Sequence, residues 1–87
     1  MKINLNTTMR VERSIKVDLY GIGHYRPSKK RLLFDAWLNR DNTYDVRVVL
    51  ESDHSLDRSM LAFRRGLSES DAKEYIRVQA LNFKNEA

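Results

Sequence analysis

Eighty-seven residues with 41% hydrophobic and 32% charged content describe one globular domain, spanning 1–87, rather than a disordered segment. The absence of cysteine excludes a disulfide framework, a thiolate metal site and a thiol nucleophile; no apolar run approaches the roughly 18 residues of a membrane span, no signal-peptide core opens the chain, and the expected location is the cytoplasm. The net charge of +4 hides an asymmetry, with eight basic and two acidic side chains in residues 1–34 against eight basic and ten acidic in residues 35–87, which points the first part of the chain at a polyanion.

In chain order, Met1–Asn6 reads as a short extra strand. Ile15, Val17 and Leu19 then alternate with Ser14, Lys16, Asp18 and Tyr20, the period of a half-buried strand. Gly21, Gly23 and Pro27 predict a loop, with Arg26 pushed towards an extended conformation by the proline after it. Leu32, Phe34, Ala36 and Leu38 form a second alternating set. Asn39-Arg40-Asp41-Asn42 is turn chemistry, and Tyr44, Val46, Val48 and Leu50 form a third set. The register with Phe34 and Ala36 inside is favoured, because slipping by one residue would bury Asp35 without a partner.

After Glu51 the period lengthens. Leu56, Met60, Phe63 and Leu67 fall on one face of a helix that Asp53 or Ser55 would cap. Ser68 opens a second helix, with Asp71 three residues on and Ala72, Ile76, Ala80 and Phe83 as its buried stripe. Residues 72–83 also alternate as a strand would, but the cap and the Ala-Lys-Glu opening favour helix. The predicted fold is α+β: an antiparallel three- to four-stranded meander with C-terminal helical segments packed on one face.

The loop is the first candidate interface. No acidic residue lies between Tyr20 and Phe34. Tyr25 is placed to stack on a base, while Arg26, Lys29, Lys30 and Arg31 meet phosphates and Arg13 and Lys16 extend the footprint, with Arg10, Arg64 and Arg65 further out. Against this, lysine and arginine on a strand connector also serve simply to keep sheet edges apart. The outer sheet face is the second candidate. Trp37, Tyr20 and Arg47 would lie there beside Asp18, Asp35, Lys16 and Val49, residue types that dominate protein–protein hot spots, and the carboxylates make that face a poorer fit for phosphate.

The catalytic fragments carry little. Asp53-His54-Ser55 has the residue types of a hydrolytic triad, but neighbours in sequence point apart. Gly21-Ile22-Gly23 lacks the third glycine of a dinucleotide fingerprint. His24 and His54 have no ligand spacing for a metal. Asp45 and Glu51 have no lysine close behind them to build a nuclease centre. The expectation is a non-enzymatic basic protein with no cofactor and no metal. It engages nucleic acid or a nucleoprotein complex through the basic loop; the alternative is a stoichiometric regulator or inhibitor that blocks a protein target. An exposed strand edge leaves a homodimer open.

Overall fold

The alternating segments fold as long strands, with Phe34, Ala36, Val46 and Val48 turned to the buried face. A computed structural model describes residues 3–18, 21–53 and 55–86, with the backbone alone for 55–57. In chain order the elements are β1 (Thr7–Asp18), β2 (Tyr25–Leu38), β3 (Tyr44–Ser52), β4 (Ser55–Leu67) and α1 (Glu69–Asn85). The strands pair as an antiparallel meander in the order β1-β2-β3-β4, and α1 lies across one face. The architecture is α+β, as the pattern predicts.

Asp35 pairs with Arg47 across β2 and β3, so the favoured register holds. Phe34 and Val46 are fully buried, with Val48, Ala36, Leu32 and Val11 beside them. Against these α1 lays Ala72, Ile76, Ala80 and Phe83, the stripe expected from the sequence. Its start is the expected one too. Ser68 Oγ accepts a hydrogen bond from the Asp71 amide at 3.1 Å, and Glu69 and Asp71 place negative charge on the first turn. The Asn39–Asn42 turn is closed by the Asn39 amide donating to the Thr43 carbonyl at 2.7 Å, with Asn42 at φ 65°.

Three expectations need correction. The segment 56–67 is not a helix. Its 3–4 spacing comes from β-bulges: Met60 faces Val49 and Phe63 faces Arg47, and Arg64 faces Val46 while Leu67 faces Tyr44. Each pair of contacts spans three residues on β4 and two on β3, so inserted residues mimic a helical period. The open edge of β3 supplies hydrogen bonds that override the helix propensity of this stretch. Second, residues 3–6 form no strand; Asn6 turns at φ 64° and its Oδ1 accepts from the Leu38 amide at 2.7 Å. Met1 and Lys2 lie outside the described residues, as do Leu19 and Tyr20. Third, residues 25–31 are not a loop but the first half of β2, and β1 begins earlier than expected, at Thr7.

That last correction sets the shape. Lys30 is the first β2 residue opposite β3, facing Ser52, whereas β1 stays paired as far as Tyr25. Tyr25–Ser28 and the end of β1 therefore run on as a two-stranded arm beyond the third and fourth strands. Pro27 fits there. The Lys29 carbonyl, accepting from the Asp53 amide at 3.0 Å, points to the β3 side, and the Pro27 nitrogen, two residues earlier, points the same way, past the end of β3. The molecule measures 53 × 22 × 16 Å with a radius of gyration of 15.2 Å, against about 12 Å for a compact domain of this length. Ile15 and Val17, expected in the core, are only half-buried because α1 does not extend over the arm.

Truncating Phe34 to alanine is expected to remove about 3–5 kcal/mol of stability, read from urea unfolding, while Ser68→Ala removes about 1 kcal/mol. An equal loss from the two would contradict this packing.

Candidate nucleic-acid interface

Alternation divides the arm into two faces. Lys16 pairs opposite Pro27, Val17 opposite Arg26, and Ile15 opposite Ser28. Ile15, Val17, Arg26, Ser28 and Lys30 thus share the side on which α1 sits, and Ser14, Lys16, Tyr25 and Lys29 share the other. Tyr25 is 64% exposed and Ile22, in the connecting turn, is 71% exposed. The turn is organised by Asp18. Its Oδ1 accepts from the Gly21 amide at 2.8 Å and its Oδ2 from the Gly23 amide at 3.0 Å. Both glycines have positive φ, 69° and 83°, a conformation that side-chain-bearing residues avoid.

At the base of the arm the cations are committed to the fold. Arg31 Nε donates to Glu51 Oε1 at 3.0 Å, and Arg31 Nη2 donates to Asp53 Oδ1, tying β2 to β3 and to the turn before β4. Arg58 reaches the other oxygen of Glu51 at 3.0 Å. Hydrogen bonds from Arg31 hold the Glu51 and Asp53 carboxyls below the usual carboxylate range, and the same bonds, that to Asp53 foremost, raise the guanidinium in return. Arg13 lies over the Phe83 ring at 4.9 Å and meets both the backbone carbonyl (2.7 Å) and the carboxylate (3.3 Å) of Glu86. It fastens β1 to the C-terminal end of α1, where the helix dipole favours a cation. Lys29 sits 3.6 Å from Glu12.

Lys16, Arg26 and Lys30 are in a different position. Among the described residues none of the three has an ion-pair partner. Lys16 and Lys30 line a hollow of about 490 Å³ between the arm and the end of α1, together with Arg13, Ile15 and Glu86. The predicted set therefore separates. Lys16 and Tyr25 lie on one face of the arm and Arg26 on the other, Lys30 sits at its base, Lys29 is partly neutralised, and Arg31 and Arg13 are structural. Arg64, expected at the margin, stacks over Tyr75 at 5.7 Å on the helix side.

The face opposite α1 holds the second predicted group. Arg47 donates to Asp35 Oδ2 through Nε at 3.1 Å and Nη2 at 2.6 Å, and the Thr8 hydroxyl donates to Oδ1 at 2.6 Å. Partial burial pushes the Asp35 carboxyl up, but the bonds from Thr8 and Arg47 outweigh it and leave it below the usual range. Trp37 is 37% exposed and tilts against Phe63 at 5.7 Å, with Arg65 over Phe63 at 5.6 Å. Tyr20, the third member of this predicted group, lies outside the described residues. Phe63 and Met60 belong to this face although the helical reading of 56–67 placed them in a core; the extra residues at the bulges are the signal that separates the readings. Among the described residues no group of three histidine, aspartate or glutamate side chains is placed to hold a metal, and no described helix is long and apolar enough to cross a membrane.

Comparison with protein-family models, with curated proteins and with solved structures finds no match to this chain.

Glu51 and Asp53 have pKa values depressed in the folded state, so their contribution to stability is present above the ordinary carboxylate range of about 4 and is lost as pH falls through the lower folded values. Urea midpoints measured on acidification are expected to fall in that window, and Arg31→Gln is expected to flatten the fall while lowering stability at neutral pH. An Arg31→Gln protein as stable as the parent at neutral pH would refute the structural role.

Proposed function

We propose that the protein binds nucleic acid, alone or within a nucleoprotein complex, through the β1–β2 arm, and that it does so without catalysis. One observation carries the reading: a two-stranded arm projecting past the rest of the sheet bears Lys16 and Arg26, with Lys30 at its base, all three without ion-pair partners among the described residues, beside an exposed Tyr25. Folded proteins tie cations to carboxylates where they serve the fold, as Arg31 and Arg13 are tied here. Cations left in solvent on an extended element cost side-chain entropy only when a partner orders them, and release of condensed counterions from phosphates drives such binding. An exposed aromatic ring adds stacking worth about 1–3 kcal/mol per base.

The second reading is a protein target met by the face opposite α1. It has its own support, because the Arg47–Asp35 pair neutralises the middle of that face and Trp37, Phe63 and Met60 remain accessible, the residue types of an interface hot spot. The two surfaces lie on different parts of the sheet, so single substitutions distinguish them.

Combining Lys16→Ala, Arg26→Ala and Lys30→Ala is expected to reduce the slope of log affinity against log salt by about 3 and to weaken binding more than tenfold at about 50 mM salt, measured by anisotropy of labelled oligonucleotides. The urea midpoint should not move. Trp37→Ala should leave that affinity unchanged. A triple variant that binds like the parent would refute the arm as the interface, and a loss confined to Trp37→Ala would move the function to the opposite face.

A further inference from the structure

We infer that the ligand of the arm is a B-form DNA duplex, entered end-on through its major groove with Ile22 leading. The inference deepens the nucleic-acid reading and rests on it. Dimensions come first. Tyr25–Ser28 have no third strand alongside and Lys29 is already tied to Asp53, which gives the arm about 13 Å of free length at 3.3–3.4 Å per residue. The B-form major groove, about 12 Å wide and 8.5 Å deep, admits a two-stranded β-ribbon; the minor groove, about 6 Å wide, does not. The major groove of A-form RNA is too deep and narrow for protein side chains.

The placement of charge points the same way. On the free part of the ribbon Lys16 lies on one face and Arg26 on the other. A single strand lying along the arm would meet one face and leave the other cation idle. A groove has phosphates on both walls, so a ribbon standing in it uses both.

The tip supplies the third argument. Ile22 stands between two glycines, is 71% exposed, and is held out by the hydrogen bonds from Gly21 and Gly23 to Asp18. Those bonds also engage both carboxylate oxygens that would otherwise face the phosphates. The flanking glycines carry no side chain to block approach, and among the described residues nothing stands within 4 Å of where a Cβ would be on either. A β-branched side chain with restricted rotamers is thereby held exposed on the turn that closes a basic ribbon. At the floor of the major groove it meets the thymine methyl group, which proteins read by apolar contact.

The test compares fluorescein-labelled duplex DNA, the corresponding single strands and duplex RNA of the same sequence, with guanine N7 probed by dimethyl sulfate. The expected result is duplex DNA bound about tenfold more tightly than either alternative, N7 protected in the complex, and Ile22→Ser weakening the duplex about tenfold with single-strand affinity and urea midpoint unchanged. Equal affinity for single strands, unprotected N7, or an Ile22→Ser protein that binds duplex like the parent would each overturn groove entry and leave nucleic-acid binding by the arm standing. No binding of any of the three polymers at about 50 mM salt would overturn both.

Discussion

One helix covers one face of this sheet, and only part of its length. Seventeen residues make a helix of about 25 Å, whereas the molecule extends 53 Å. Everything under Ala72, Ile76, Ala80 and Phe83 becomes core. The remainder of β1 and β2 has to be stable as a two-stranded ribbon, and isolated ribbons are marginal in water. Its base is accordingly reinforced. Arg31 joins β2 to Glu51 and Asp53, Arg13 joins β1 to Glu86, and the Asp53 amide donates to the Lys29 carbonyl where the third strand ends. The far end is reinforced differently, by Asp18 gathering the turn amides.

This division of labour explains why so basic a segment does not behave as one patch. The cations nearest the core are drawn into ion pairs because carboxylates from β3 and from α1 reach them. Further out, among the described residues, no carboxylate pairs with Lys16 or Arg26, and both remain in solvent. The same extension of β1 and β2 that frees the cations also carries Tyr25 and Ile22 away from the body. Stability and solvent exposure are thus separated along one hairpin: guanidinium pairs at the base, and beyond it the exposed charge and apolar surface on which the proposed binding rests.

Much of this was legible in the residues. The Phe34–Ala36 and Val46–Val48 alternation set the register because the other choice buried Asp35, and Ser68 with the Ala72–Phe83 stripe defined the helix. Two things were hidden. The bulges in β4 add residues that turn a period of two into an apparent helical period, so Met60 and Phe63 read as core when they lie on the open face. Pro27 and the glycines read as a loop because local signals do not reveal that β2 lacks a third strand at that point, where a proline is harmless. The identity of the paired cations was hidden for a related reason. Arg31 meets Glu51 and Asp53 only through the β2–β3 register, and nothing in the run Arg26–Arg31 marks it as different from Lys30.

The measurement closest to the central claim is an amide chemical-shift map of the protein titrated with a short DNA duplex at low salt. The account predicts shifts concentrated in residues 14–18 and 21–30, with the amides of α1 and the Trp37 indole unmoved. Shifts centred on Trp37, Phe63 and Arg47, or none anywhere, would contradict it.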